Sequence, residues 1–469
     1  MRILAFDFGA SSGRAVLGEF DGEKVTMKEL HRFANEPVEM GGELYWDFPR
    51  LFHELKRGIA KAESEGGADS ISVDTWGVDF GLLDKDGRLL SNPLHYRSAL
   101  TERAQEELVK TMSGEALYEE TGIAFNKYNT LCQLVMLQKR EDAALKIARR
   151  ALFMPDLFTY FLTGNAVCER SIASTSQLLR AGEPAFSDKV RRAYGLKRLF
   201  PKTVPSGSVA GMLREEIFRE MHLKKSIPVI AGLGHDTGAA FFAAPAESEN
   251  AALLSSGTWS VFGAMIDKPI LTKEAEKSGY TNEIGFGGKV RFLRNIVGLW
   301  IIQECKRSWE KAGISLSFAE IAAGAEKVAP GRFYIDPDAE EFFAPHDMPK
   351  KVEAYCEKSG GAVPKTVFEI ARCVYDSLAM AYKRSLLDLQ TLTGKRFNVL
   401  HIVGGGANNE MLNRAVAQTL GIRVTAGPTE ATALGNILCQ LAALGAVHGE
   451  EEAHRIARRS CEVKEYFPE

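Results

Sequence analysis

At 469 residues, with 45% hydrophobic and 25% charged residues, the chain exceeds a single hydrophobic core and has the composition of a globular protein. Its 58 basic residues against 61 acidic ones leave a formal net charge of -3, which excludes the basic footprint of a nucleic-acid-binding protein and leaves Lys224-Lys225 and Arg458-Arg459 as solvated surface. No apolar run reaches the roughly 20 residues that span a bilayer, Asp7 cuts the first apolar run too short for a signal peptide, and seven cysteines without a C-x-x-C pair argue against a disulfide framework or zinc site. We therefore expect a cytoplasmic protein with no membrane partner and free thiols, Cys356 and Cys373 approaching each other if their segments pair as antiparallel helices.

In chain order, Ile3 to Phe8 reads as a buried strand, Gly9-Ala10-Ser11-Ser12-Gly13 as a tight small-residue turn, and Ala15 to Phe20 as a returning strand. The tip of such a hairpin offers backbone N–H groups and two hydroxyls to phosphate oxygens, with Asp7 placed to meet a hydrated divalent cation, here Mg2+; a purely structural hairpin is the alternative. Leu51 to Ala62 and Leu131 to Ala148 carry helical spacing. Ser70 to Asp74 and Gly77 to Leu83 are strand runs, the second followed by the turn Asp84-Lys85-Asp86-Gly87. Phe153-Met154-Pro155 opens a short helix. Ile227 to Ala231 is a strand leading through Gly232-Leu233-Gly234-His235-Asp236-Thr237-Gly238 into an Ala/Phe-rich helix, and Ala244 to Asn250 is the linker, dividing the chain into domains 1–245 and 246–469.

The second half opens with the same grammar: strand, Ser255-Ser256-Gly257-Thr258 turn, strand. It closes with a β-α-β-α unit: strand Val399 to Val403, turn Gly404-Gly405-Gly406, a helix capped by Asn408, strand Ile422 to Val424, and helix Ala431 to Leu444. The triple glycine lets a flat ligand, the adenosine of a nucleotide, approach the backbone; simple chain reversal is the alternative. No G-x-x-x-x-G-K-[ST] is present, and a hairpin rather than a helix follows the first turn, against a Rossmann fingerprint. Two phosphate-type hairpins, one opening each half, resemble the nucleotide-binding superfold of actin, hexokinase and Hsp70. That resemblance implies an α/β protein of two duplicated ribonuclease H-like domains with a nucleotide in the cleft between them.

Asp236 follows a buried strand at a helix N-terminus, a position that favours an ionised carboxylate. Such a group can orient a hydroxyl and take its proton as the oxygen attacks a γ-phosphoryl group; a plain N-cap is the alternative. Trp76, flanked by polar residues and Gly77 in Val73 to Phe80, suits a sugar surface as an apolar ring beside carboxylates, or else packs in the core. His95-Tyr96-Arg97 is placed to complete the same wall.

Together, Asp7 to Arg14, Asp74 to Phe80, Tyr96-Arg97, Met154-Pro155-Asp156, His235-Asp236-Thr237, Leu254 to Ser260, Asn295 to Trp300 and His401 to Gly406 resemble the FGGY family of carbohydrate kinases from end to end. Thr75 to Phe80 and the His235-Asp236-Thr237 triplet are similar to the branch acting on L-rhamnulose; xylulose and glycerol kinases read differently there. The wider family's Lys-x-x-Trp is absent where Asn129 to Leu134 stands, a departure that branch shares, and Ser98 stands where Asp often follows Arg97. The resemblance implies Asp236 as catalytic base, with Gly77, His235, Asp236, Thr237 and Asn295 contacting the sugar. It also implies that Ala10, Ser11, Ser12, Gly13, Arg14, Thr258, Gln303 and Gly405 line the ATP site. The implied reaction is transfer of the γ-phosphoryl group of Mg-ATP to the 1-hydroxyl of L-rhamnulose by a monomer or homodimer. Alternatives are a kinase for L-fuculose or L-ribulose, or an ATPase switch of the Hsp70 or actin kind.

Overall fold

The N-terminal apolar run forms strand β1 (Arg2–Phe8), which turns and returns as β2 (Ser12–Phe20), antiparallel, with Phe8 opposite Gly13. β3 (Val25–Ala34) extends the meander. β4 (Ser70–Thr75), buried at every position, lies parallel to β1, as befits a strand covered on both faces. β5 (Ser208–Met212) and β6 (Pro228–Ala231) complete a six-stranded sheet in the order β3-β2-β1-β4-β6-β5. The computed structural model describes residues 1–245 and 250–468; of the expected linker Ala244 to Asn250, residues 246–249 lie outside the described residues.

The second half repeats this topology. β7 (Ala251–Ser256) and β8 (Trp259–Ile266) form an antiparallel hairpin, and β9 (Thr281–Ile284) and β10 (Val290–Val297) follow. β11 (Val399–Val403) is parallel to β7, β12 (Arg423–Ala426) parallel to β11, and β13 (Lys464–Tyr466) antiparallel to β12. The order β10-β8-β7-β11-β12-β13 matches β3-β2-β1-β4-β6-β5 strand for strand, so the duplication read from the two hairpins is present in the sheets.

Two compact units result. The first comprises 1–243, 265–292 and 432–460; the second comprises 244–264, 293–431 and 461–469. The return of 432–460 to the first unit has a polar cause. On the helix Ala431–Ala443, Asn436 Nδ2 donates to Asp74 Oδ2 at 2.6 Å, Gln440 Nε2 donates to Leu4 O at 3.1 Å, and Gln440 Oε1 accepts from Ser70 Oγ at 2.6 Å. A Cβ on Gly435 would overlap the carbonyl of Ala239, so only glycine admits this approach.

Some local expectations shift. The helix expected over 131–148 is two, Thr130–Lys139 and Ala143–Ile147; Glu141 adopts φ +59° and Asp142 caps the second by accepting from Leu145 N. Of the run 77–83 only Phe80–Leu83 is strand, and it pairs with Arg150–Phe153. Phe153 therefore ends a strand, and the helix Met154–Thr163 begins one residue later with Pro155 in its first turn. Asn409, not Asn408, caps the helix Glu410–Leu420, because Asn408 ends a 3-10 turn that starts at Gly405. Cys356 and Cys373 do meet, on the helices Met348–Lys358 and Val367–Thr393, with Sγ atoms 3.9 Å apart and unbonded. No helix among the described residues is long and apolar enough to cross a membrane.

The first unit's core holds an aromatic group in which Phe8 lies 5.3 Å from Phe33 and 4.7 Å from Phe158, centroid to centroid. Gly13 is required here by packing: a Cβ would overlap the edge of the Phe33 ring and stand 2.6 Å from Phe8 Cδ1. Gly13→Val should therefore cost about 1–3 kcal/mol of stability through overpacking. A thermal melt checks this, and a variant melting with the wild type would refute it.

Candidate active site

Three strand ends in the first unit bring carboxylates together. β1 and β4 run parallel with Asp7 in register with Asp74, and Thr75 bridges to His235 just beyond β6, with Thr75 N donating to Gly234 O at 2.9 Å. Asp7 receives the guanidinium of Arg14, Nη2 at 2.7 Å and Nε at 3.0 Å. Asp74 is fully buried, and its Oδ1 has no hydrogen-bond partner among the described residues. Burial first, and then the Asp7 charge, hold its carboxyl well above the usual range. Asp236 opens the helix Asp236–Phe242 and keeps 29% of its side chain exposed against 10% for Asp7, so of the two it is the more open to a substrate hydroxyl. Its Oδ1 accepts from Thr237 N at 2.6 Å and Thr237 Oγ1 at 3.1 Å. The helix N-terminus was expected to favour its ionised form; desolvation outweighs that, and burial, with Asp7 adding to it, raises the carboxyl against the pull of His235.

His235 is held by residues the sequence did not single out. Its Nδ1 lies 3.0 Å from Glu283 Oε2 on β9, Arg291 Nη2 on β10 lies 2.8 Å from the same oxygen, and its Nε2 lies 3.4 Å from Asp236 Oδ1. The Arg291 side chain is 0% exposed. Burial works against ionisation of Glu283, but Arg291 and His235 outweigh it and hold the carboxyl below its ordinary value. The loop itself is anchored by Glu169, which accepts from Gly234 N at 3.0 Å, and by Ser171 Oγ, which accepts from His235 N at 3.2 Å. The contacts of Glu283, Glu169 and Ser171 with the His235 loop join positions 48, 65 and 64 residues apart, and nothing in local spacing announces them. Arg291, in the apolar stretch Val290 to Leu293 of β10, was the available signal.

Trp76 belongs to the core. It is 6% exposed, its ring stacks 3.8 Å from Trp46, Trp46 lies 4.2 Å from His95, and His95 lies 4.5 Å from Tyr96. The polar residues around it are explained by Asp79. That carboxylate accepts from Trp46 Nε1 at 2.7 Å, Trp76 Nε1 at 2.9 Å, Tyr96 N at 3.2 Å and Gln133 Nε2 at 2.8 Å. Burial, opposed by these donors, pushes Asp79 up from 3.8 to about 7. Gln133 lies in the segment standing where the wider family has Lys-x-x-Trp, so that segment has its own polar task here. Gly77 sits against Thr175, which would be 3.2 Å from an added Cβ. Next to it Val78 takes φ +67°, costly for a β-branched residue, and is held by Thr175 Oγ1 at 3.1 Å and by Thr130 Oγ1 at 2.6 Å.

At the first hairpin tip Ser11 is exposed, while Ala10, Ser12 and Arg14 are half-buried. Buried Asn35, also missed in the sequence, shapes the tip: its Nδ2 donates to Gly9 O at 2.8 Å and its N to Ser11 O at 3.0 Å. In the second unit Thr258 closes the other hairpin, and its Oγ1 donates to Gln303 Oε1 at 3.3 Å. A Cβ on Gly406 would overlap Ser256, whereas the Cα of Gly405 faces open space. Of these two, Gly406 serves packing and Gly405 has no packing neighbour. Asn295 is exposed on β10.

The donor set fits Mg2+ in the manner usual for phosphate-bound Mg2+, which takes one or two carboxylates and completes its shell with water and phosphate. Among the described residues no cluster of three or more His, Cys, Asp or Glu could cage a metal alone. Asp7 raises the carboxyls of both Asp74 and Asp236, a repulsion that a cation beside Asp7 would relieve.

The two sheets share one strand order, with a carboxylate at the end of β1 and another just after β6, and so define a duplicated α/β protein. A xylulose kinase from Lactobacillus acidophilus superposes with a TM-score of 0.83 at 15% identity, over 100% of this chain and 94% of that one. The model of the FGGY carbohydrate-kinase N-terminal domain matches residues 2–243, and that of the C-terminal domain matches 252–444. Identity to the rhamnulokinase of Bacteroides thetaiotaomicron is 40% over 468 residues, covering 99% of this chain and 96% of that one. Identity to the rhamnulokinase of Oceanobacillus iheyensis is 37% over 465 residues, covering 99% and 97%. The chain belongs to the FGGY family of carbohydrate kinases and is an ATP-dependent sugar kinase.

Two outcomes test this geometry. Glu283→Gln leaves Arg291 buried without its anion and should cost about 3–5 kcal/mol; Glu283→Gln with Arg291→Met should recover part of that in denaturant unfolding, and a single variant as stable as the wild type would count against a structural ion pair. For Asp79, raised in the folded state from 3.8 to about 7, the unfolded chain ionises first. Its contribution to stability therefore falls as pH rises from about 4 to about 7 and stays level above that. Unfolding curves for Asp79→Asn should lack this fall, and identical pH slopes in the two proteins would contradict it.

Proposed function

We propose that this kinase phosphorylates L-rhamnulose at its 1-hydroxyl, giving L-rhamnulose 1-phosphate and ADP. The observation that carries the reading is Asp236: partly exposed, raised in basicity by burial, and oriented by Thr237 and His235. Full-length identity to proteins named rhamnulokinase supports the choice of sugar.

In this reading the sugar contacts Gly77, His235, Thr237 and Asn295. Asp236 accepts the proton of the 1-hydroxyl as that oxygen attacks the γ-phosphorus; the bond to the β–γ bridging oxygen breaks and ADP leaves. Positioning and charge neutralisation supply most of the rate in such transfers. By family resemblance ATP is assigned to Ala10, Ser11, Ser12, Gly13, Arg14, Thr258, Gln303 and Gly405. Of these, Gly13 acts through its backbone, since its Cα side is filled by Phe8 and Phe33. When bound, Mg2+ near Asp7 neutralises phosphate charge. The buried ring of Trp76 enters this reading as support for Asp79 and not as a sugar-facing surface. We place the enzyme in the cytoplasm as a monomer or homodimer.

ADP release coupled to an indicator, measured across L-rhamnulose, L-fuculose, L-ribulose, D-xylulose and glycerol, should be fastest with L-rhamnulose. Best turnover on another sugar would reassign the substrate, and sugar-independent hydrolysis would reassign the class. Asp236→Asn should lower kcat by about two to four decades with little change in ATP affinity; near wild-type turnover would remove Asp236 from its role.

A further inference from the structure

We propose that the first unit holds a second ligand site, for an amphipathic organic anion, in the cavity bordered by Arg170. The cavity has a volume of about 550 Å3, within the roughly 300–1,000 Å3 of small-molecule sites. None of its lining residues is among those assigned to sugar or ATP. Leu134, Leu145, Leu178, Leu199, Phe186 and Phe200 form the apolar part of its lining, among charged and polar neighbours. A saturated or aromatic body is the complement of that part, because burying it removes apolar surface from water on both sides.

The acidic groups at the cavity are already matched: Asp188 by Arg191 at 3.1 Å and Arg198 at 2.8 Å, Asp142 by Arg140 at 3.1 Å, and Glu141 by Lys146 at 3.2 Å. Lys197 donates to the Lys146 carbonyl at 2.7 Å. Lys202 is exposed and solvated. Arg170 differs from all of these. It is half-buried, its Nε is wholly buried, and its side chain has no hydrogen-bond or ion-pair partner among the described residues. Its Nε lies out of a cavity ligand's reach, but the half-buried guanidinium leaves its outer N–H groups without a partner among the described residues, and the two oxygens of a carboxylate match that planar fork. The apolar part of the lining beside an unmatched guanidinium suits a carboxylate that carries an apolar body.

Decanoate is the probe, and 1-decanol its uncharged counterpart, titrated calorimetrically into the full-length protein. The expected result is saturable one-to-one decanoate binding. Arg170→Gln should weaken it about tenfold or more, as loss of a charge-assisted hydrogen bond does, and 1-decanol should bind the wild type correspondingly more weakly than decanoate. Absence of saturable binding, equal affinity in a folded Arg170→Gln variant, or equal affinity for decanoate and 1-decanol would each overturn the proposal. If Arg170→Gln fails to fold, as a thermal melt would reveal, the comparison of the two probes on the wild type decides alone.

Discussion

The first unit is organised around an electrostatic constraint: carboxylates collected at the ends of parallel strands and out of water. Taking one such group from solvent is costly unless hydrogen bonds or countercharge replace its hydration. Each carboxylate here has its own solution. Asp7 has the Arg14 guanidinium from the neighbouring strand, Asp74 has Asn436 from a helix 362 residues away, and Asp236 has Thr237 and His235 beside it. The return of the C-terminal helix to the N-terminal unit follows from the second solution, because without Asn436 the buried Asp74 would have no side-chain donor.

A second tier of buried charge supports the first. His235 stands against Glu283 and Arg291, and the backbone leading to it hangs from Glu169. Glu169 in turn has its own N–H bound by Asp156, whose carboxyl is held well above the usual range by burial and by the neighbouring Glu169. The loop that leads into Asp236 is thereby fixed at both backbone and side chain. The Met154-Pro155-Asp156 motif therefore bears on the Asp236 loop through Glu169.

The two units share a strand order but not a chemistry. Where the first hairpin ends in an ion pair, Asp7 with Arg14, the second ends in a neutral contact, Thr258 with Gln303. Among the glycines discussed above, Gly13, Gly406 and Gly435 are demanded by packing, whereas Gly405 has open space beside its Cα. Duplication supplied the framework and side-chain replacement supplied the function, in keeping with sites being grafted onto folds.

The hairpins, the parallel strands and the aspartate after β6 were legible in the sequence because each rests on local pattern: period-two apolar runs, small-residue turns, and a polar triplet closing a buried strand. Family resemblance extended that to the sugar-kinase class. Local pattern could not decide whether Trp76 faced a ligand or the core, since its polar neighbours suit either; the four donors converging on Asp79 decided it. Nor could it show that Gly13 is held by Phe8 and Phe33, that Asn35 ties the hairpin tip, or that Glu283, Arg291 and Asn436 complete the carboxylate cluster. Hydrogen-bonding periodicity is written within a few residues of chain, so the sequence alone determined the elements and their order. The compensation of buried charge requires groups brought together from hundreds of residues apart, and only the tertiary structure decided it.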